Sequence, residues 1–201
     1  MKIICIGRNY ADHAKEMHAQ APSEPVFFFK PQTALSTGSQ ITIPNFTTNL
    51  HHEIELVFRV CKTGFTISES QALNYIDAWS LGIDFTARDI QDVLKAKGLP
   101  WEKAKAFDNS AFCAPFTDIT DYILPDKEFA LMCNSKYVQR GYLKEMLFAP
   151  AYLISYVSKF VTLQAGDLIF TGTPAGVGKV NAGDVLQGLY DSRIIFNITI
   201  N

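Results

Sequence analysis

Apolar residues along this chain fall into short blocks separated by turn residues, and only a few stretches show helical spacing. Ile3 to Gly7, Val26 to Lys30, Ile41 to Ile43, Glu53 to Val60 and Trp79 to Phe85 read as strands, the second and third stopped by Pro31 and Pro44. Phe129 to Cys133 with Tyr137 to Arg140 predicts a hairpin, and Val185 to Tyr190 with Ile194 to Ile200 predicts another. Leu168 to Thr171 adds a strand after the Gly166-Asp167 turn. Four helices are expected between these strands. Asn9 caps a short one, with Asp12 three residues later as in a capping box. Ser68-Glu69-Ser70-Gln71 opens a second that runs to about Ala78. Thr86 caps a third, whose Ile90, Val93 and Leu94 form an apolar face and which Gly98 ends. Pro150 suits the first turn of a fourth, with Leu153, Ile154, Val157 and Val161 at helical spacing. There is no regular strand–helix–strand alternation, so the pattern predicts a mixed β architecture with a few helices and not a doubly wound sheet.

Composition narrows the possibilities. The chain has 201 residues, 48% hydrophobic and 19% charged, which suits one domain with a buried core. A net charge of −2 without a basic block argues against a nucleic-acid partner. No apolar run approaches the ~20 residues of a spanning helix, so no membrane association is expected. The apolar start turns polar at Arg8 and Asn9, too soon for a secretory signal, and a cytoplasmic location is the expectation. Cys5, Cys61, Cys113 and Cys133 have no CxxC spacing and read as free thiols. The glycine-rich stretch Gly172 to Gly178 is not a P-loop, because five residues separate its glycines and Val180 follows Lys179.

The densest chemistry lies in His51-His52-Glu53-Ile54-Glu55. Alternate side chains of a strand share a face, so Glu53 and Glu55 point the same way, roughly 6.6 Å apart along the backbone. Like charges so placed need a neutralising partner, and carboxylate oxygens suit a hard divalent ion such as Mg²⁺. Asp84, at the end of the apolar run Leu81-Gly82-Ile83, is a candidate third ligand. His51 and His52 leave a softer metal open, and spacing alone does not decide between the two.

Seven blocks then carry a resemblance: Gly7-Arg8-Asn9-Tyr10-Ala11-Asp12-His13, Glu24 to Pro31, His51 to Leu56, Asp84 to Gln91, Gly98-Leu99-Pro100-Trp101, Ala104 to Asp108, and Thr171 to Gly178. In these blocks the chain resembles the fumarylacetoacetate hydrolase family, in particular its small single-domain members of the acylpyruvase and oxaloacetate decarboxylase type. The resemblance implies the family's mixed β-roll, with residues 1–201 as a single catalytic domain and residues 1–25 as a mobile, lid-bearing segment. It implies Glu53, Glu55 and Asp84 as ligands of Mg²⁺ or Mn²⁺, and His13 and Glu16 as an acid–base dyad. Lys105 would join the catalytic set, while Arg88, Gln91 and Thr173 would bind substrate. The implied reaction is hydrolysis of acylpyruvates, or decarboxylation of oxaloacetate, through a metal-bound pyruvate enolate. The alternative is isomerisation or decarboxylation of a 2-oxo-dienoate dicarboxylic acid from aromatic catabolism. A small 2-oxo acid is the implied substrate, and a homodimer the implied assembly.

These roles agree with the residue chemistry. His13 and Glu16 are three apart on a predicted helix, so the carboxylate can fix the imidazole's tautomer and raise its basicity. Arg88 and Gln91 are also three apart, off the apolar stripe of their helix. Lys105 and Lys30 each sit among apolar neighbours, where a charge needs a reason to be. The loop of Thr171 to Gly178 is expected to offer backbone N–H groups and the Thr173 hydroxyl to a substrate carboxylate. Two departures from the family pattern, Ser135 after Asn134 and Leu143 before Met146, make 134–148 a candidate region for altered substrate choice or dimer contacts.

Overall fold

A computed structural model describes residues 1–119 and 125–201. Its centre is a large sheet. Strands β1 (Ile3–Gly7), β2 (Val26–Lys30) and β3 (Leu35–Ser36) belong to it, whereas β4 (Gln40–Ile41) and β5 (Leu50–His52) pair elsewhere. Next come β6 (Ile54–Val60), β7 (Ile76–Asp84), the short β8 (Thr86–Ala87), β9 (Ala111–Cys113) and β10 (Thr117–Asp118). The hairpin β11 (Glu128–Cys133) and β12 (Lys136–Tyr142) follows, then β13 (Leu168–Phe170), β14 (Gly178–Lys179), β15 (Val185–Tyr190) and β16 (Arg193–Ile200). The large sheet runs β2-β1-β13-β6-β7-β9-β3, with β10 also on β7. A second sheet runs β12-β11-β15-β16-β4, and a small third one runs β14-β5-β8. The α-helices among the described residues are α1 (Ala11–Glu16), α2 (Glu69–Ala72), α3 (Arg88–Ala96), α4 (Glu102–Lys105) and α5 (Pro150–Val157). The predicted mixed β class is the observed one.

Both faces of the large sheet are covered, which explains its unbroken apolar runs. Ile4, Ile6, Leu56, Phe58, Leu81 and Ile83 share one core with Phe129, Leu186, Phe196 and Ile198 of the second sheet. Their alternates Ile3, Cys5, Val57, Cys113 and Phe170 form a smaller cluster on the opposite face. Glu55 and Asp84 fall on that opposite face by strand parity, since Leu56 and Ile83 face the main core. The chain thus has two apolar layers, and the thinner one borders the carboxylates.

Several local expectations are corrected. Asn9 does not cap α1; Tyr10 holds the cap position with no side-chain bond. Buried Asn9 instead donates to the Phe148 and Thr171 carbonyls and accepts from the Phe148 N–H, because buried backbone groups have no water to turn to. Helix α2 stops at Ala72 and passes through a 3₁₀ turn, Leu73–Tyr75, since pairing with β6 claims the chain from Ile76 onward. Ser68 makes no cap; its hydroxyl meets that of Ser70. Thr86 lies in β8 and donates to Glu53, and Ala87 precedes α3 without a side-chain cap. The face of α3 that is buried is Arg88, Gln91 and Leu94, whereas Val93 is 52% exposed. The helix packs on a polar site, so polar residues take its inner side. The Asn134-Ser135 turn has positive φ at both residues, 50° and 64°, as the Asn-Gly hairpin turn requires; serine adopts it here despite its Cβ.

Candidate active site and metal centre

Glu53 sits between β5 and β6 and is not within a strand, so simple alternation does not set its direction. Its carboxylate nevertheless converges with those of Glu55 on β6 and Asp84 at the end of β7. One oxygen from each lies within 4.8 Å of the others, and all three residues are buried. Neither histidine of the 51–52 pair joins them: His51 turns to Asn49, and His52 turns to Gln139. The candidate ligand set is therefore all oxygen, which fits a hard divalent ion. Asp84 Oδ1 supports the fit, being buried without a hydrogen-bond partner. Lys30 Nζ stands 2.7 Å from that oxygen, a charge contact whose geometry does not make a hydrogen bond.

Three cations surround the three carboxylates. Lys105 Nζ bridges Glu53 Oε2 at 2.7 Å and Asp84 Oδ2 at 2.8 Å. Arg88 reaches Glu53 Oε1 and Gln91 Oε1 with its two terminal nitrogens. Lys30 is 1% exposed and also donates to the Ser110 carbonyl at 2.8 Å. Lys105 and Lys30 are both buried, so both apolar contexts in the sequence marked buried charges. Burial alone would raise the Glu53 carboxyl, but the Lys105 and Arg88 charges outweigh it and hold it well below the usual range. Glu55 goes the other way. Burial, then the Asp84 charge, pushes it well above the usual range, against one backbone bond from Gly172. Burial would lower the Lys105 ammonium, yet Asp84 and Glu53 keep it raised and charged.

The wall of the site is built from α1 and the glycine-rich loop. His13 Nδ1 lies 3.2 Å from Glu16 Oε2, and Glu16 accepts the Gly176 N–H at 3.0 Å. Gly176 has φ +99°, and a Cβ there would lie 2.1 Å from the Val138 carbonyl oxygen, so only glycine can present this N–H. The Gly172 N–H is 2.7 Å from Glu55 Oε2. This corrects the expectation that the loop's N–H groups await a substrate carboxylate: these two already serve the protein's own carboxylates. His13, Glu53, Glu55, Asp84, Arg88, Gln91, Lys105 and Thr173 all line one pocket of about 440 Å³, mouth included. Glu16 stands behind His13, with its side chain 33% exposed. The residues given metal, acid–base and substrate roles in the sequence thus belong to one neighbourhood, whereas His51 and His52 do not join it.

The Fumarylacetoacetate (FAA) hydrolase C-terminal family matches residues 2–189. The chain belongs to the fumarylacetoacetate hydrolase family. Among curated relatives, oxaloacetate tautomerase FAHD1, mitochondrial, of Bos taurus is 46% identical over 189 residues, covering 92% of this chain and 85% of its own. Oxaloacetate tautomerase YcgM of Escherichia coli K12 is 40% identical over 195 residues, covering 96% and 89%. A crystal structure of fumarylpyruvate hydrolase from Pseudomonas aeruginosa, in complex with Mn²⁺ and pyruvate, superposes with TM-score 0.95 at 35% identity, covering 100% and 89%. The fold and the enzyme class follow from this membership.

Two features of this family member escaped the sequence reading, and both centre on Gln139. This residue, buried in the middle of β12, accepts from Ile54 N–H at 3.0 Å and stands 2.9 Å from His52 Nδ1. Its amide nitrogen donates to Thr173 Oγ1 at 2.8 Å and to the Pro174 carbonyl at 2.9 Å. Since Gln139 Oε1 is an acceptor, His52 carries its proton on Nδ1. Since Thr173 Oγ1 accepts from Gln139, its own proton is free for an acceptor in the pocket. A lone glutamine at an inward strand position gives little warning of this, beyond being polar where an apolar residue is expected.

Proposed function

We propose that this protein hydrolyses acylpyruvates and decarboxylates oxaloacetate by generating a pyruvate enolate, with Mg²⁺ or Mn²⁺ held by Glu53, Glu55 and Asp84. When bound, the ion supplies Lewis-acid stabilisation of negative charge on a 2-oxo acid's keto oxygen. The convergence of three buried carboxylates beside the His13–Glu16 pair is the observation that carries this reading.

The side chains then have distinct work. In hydrolysis, His13, oriented by Glu16, takes a proton from water as it adds to the C4 carbonyl. The C3–C4 bond breaks, its electrons pass to the C2 oxygen as an enolate, and the carboxylic acid leaves. In decarboxylation the same bond breaks with CO₂ as the leaving group and no water added. Either enolate takes a proton at C3 to give pyruvate. Lys105, buried and charged, faces the developing oxyanion. Arg88 holds Glu53 and Gln91 in place, and Gln91 and the Thr173 hydroxyl offer hydrogen bonds to the substrate. Interconversion of enol and keto oxaloacetate, the activity in the relatives' names, needs only loss of a proton from the C2 hydroxyl and gain of one at C3, or the reverse, and suits the same groups. Isomerisation of a dienoate would not need the water-activating pair, so the His13–Glu16 geometry favours the first reading.

The same proposal includes a lid and a dimer. Strand β1 lies between β2 and β13, so the mobile part of 1–25 is the stretch from Ala11 to Pro25, which carries His13. A row of touching rings, Phe148–Tyr152–Tyr156–Phe160–Phe27–Phe29, runs along α5 and β2, with Phe160 59% and Phe29 38% exposed. Such a surface suits a second copy of the chain, and light scattering tests it. A cytoplasmic home accords with four free cysteines. The main test is pyruvate release from acylpyruvates and oxaloacetate, with Mg²⁺, with Mn²⁺ and with chelator. Turnover that is metal-dependent supports the reading; none with any substrate or metal refutes it.

A further inference from the structure

At the floor of the pocket Lys30, Lys105 and Arg88 are each ion-paired, with Glu53, Asp84 or both. Two more cations line the same pocket without an ion pair among the described residues: Arg8, just after β1, and Lys95, in the last turn of α3. Both are only partly buried, which places them at the rim and not on the floor. Arg8 makes no ion pair or hydrogen bond among the described residues. Its backbone is left-handed, with φ 59°, a conformation that costs a residue with a Cβ and tends to persist where function needs it. Lys95 packs its ammonium over the Trp101 ring, 5.6 Å from the centroid. Burial lowers its pKa first, and Arg88, Arg8 and Lys105 act in the same direction, with Asp92 opposing. The rim therefore carries two cations that no carboxylate among the described residues ion-pairs.

A 2-oxo acid whose carboxylate and keto oxygen turn toward the floor must direct its other end toward the rim. We propose that Arg8 and Lys95 form a recognition site for a second carboxylate at the far end of the substrate. These two residues would then set the preference for oxaloacetate and like dicarboxylates over 2-oxo acids with neutral tails. This rests on the proposed function for the orientation of the substrate, and it assigns specificity to two residues outside the metal and acid–base groups. An arginine fork and an ammonium can both donate to one carboxylate, and charge-assisted bonds of this kind are strong where water is partly excluded.

Binding gives the test that does not depend on turnover. With Mn²⁺ present, calorimetry on the whole protein should show 2-oxoglutarate binding at least about ten-fold more tightly than 2-oxopentanoate, as expected for a charge-assisted bond. The two probes have equal chain length and differ only in the far carboxylate. Lys95→Gln, on a largely solvated helix side, and Arg8→Gln should each shrink that preference several-fold. Arg8→Gly, which suits the left-handed backbone, keeps the test open if Arg8→Gln folds poorly. In kinetics, the same variants should raise the KM for oxaloacetate at least about ten-fold more than the KM for acetylpyruvate, whose far end is a neutral ketone. Equal binding of the two probes by the wild type, or an unchanged preference in both variants, overturns the proposal. Wild-type protein that turns over neither oxaloacetate nor acetylpyruvate refutes the proposed function, while the binding preference still decides the rim site.

Discussion

The floor and the wall of the pocket are built on opposite principles. The floor stands at the ends of β6 and β7 in the large sheet, with Glu55, Asp84 and Lys30 at most 2% exposed. Its charges are fixed by neighbours on several elements, and none can leave without stranding another. The wall is a six-residue helix, α1, tied to the glycine-rich loop chiefly through Glu16. His13 is buried while its partner Glu16 is a third exposed. The difference teaches where precision is needed. Metal ligands must hold their positions throughout a cycle, and buried strand ends do this. An acid–base group must meet substrate after entry, and a short helix on a loop can move with few bonds broken.

The sharpest way to break this comparison is at the floor. Asp84→Ala should abolish metal-dependent turnover and Mn²⁺ binding by calorimetry. It should also lower stability by about 3–5 kcal/mol in denaturant melts, because Lys30 and Lys105 lose their shared partner. A variant that melts like wild type would mean the floor is not electrostatically interlocked. At the wall, His13→Ala should slow acylpyruvate hydrolysis by roughly 10²–10⁴-fold, the usual worth of a positioned acid–base group, with Mn²⁺ affinity nearly unchanged. Loss of metal affinity to the same degree would contradict the division. Between the two lies Gln139. Gln139→Leu leaves Thr173, Pro174, His52 and Ile54 short of a partner and should cost about 1–3 kcal/mol of stability for each group left unsatisfied. Its KM should rise through the misplaced Thr173 hydroxyl, and an unchanged KM would separate Gln139 from the site. Glu16→Gln should have a smaller kinetic effect than His13→Ala, because an amide oxygen can still accept the Gly176 N–H while the charge beside the imidazole is lost.

The smallest effect expected is on pH dependence. Burial, then the Arg88 charge, lowers His51 from 6.5 to about 4, and burial lowers His52. Both are neutral in the fold where the unfolded chain takes up protons. The His51 contribution to stability is complete above pH 6.5 and is lost as pH falls from 6.5 toward about 4, and His52 acts in the same direction below 6.5. His51→Asn should flatten the fall in melting temperature over that window, and an identical slope would show that other groups control it.

The candidate metal set was legible through the resemblance: two glutamates either side of Ile54 also suit an ordinary solvated strand face, and the matching blocks around them and around Asp84 are what single them out. The spacing argument was right for Glu55 but incomplete for Glu53, which lies between two strands and is aimed by the turn of the chain. The helix α3 shows the reverse case. Its apolar residues Ile90, Val93 and Leu94 suggested a buried stripe, but the helix lies on charged groups and turns Arg88 and Gln91 inward. Periodicity reports amphipathicity and is silent on which face meets the rest of the protein. Three caps read from Asn9, Ser68 and Thr86 failed. Asn9 and Thr86 yielded to distant partners, 139 residues away in the case of Asn9 and Phe148, and Ser68 bonds to Ser70 instead.

By itself the sequence determined most of the longer strands, the two hairpins and the residue types able to hold a hard cation, because these depend on short-range backbone preferences and on side-chain chemistry, whereas short strands such as β3, β9 and β14 depend on the neighbours they pair with. Only the tertiary structure decided that Lys30 and Lys105 both meet Asp84, that Gln139 links His52 to Thr173, and that Arg8 and Lys95 stand at the rim without an ion pair among the described residues. Those facts depend on distances between residues far apart in the chain, and the energy of a charge or a buried polar group is set by what lies within a few ångströms of it.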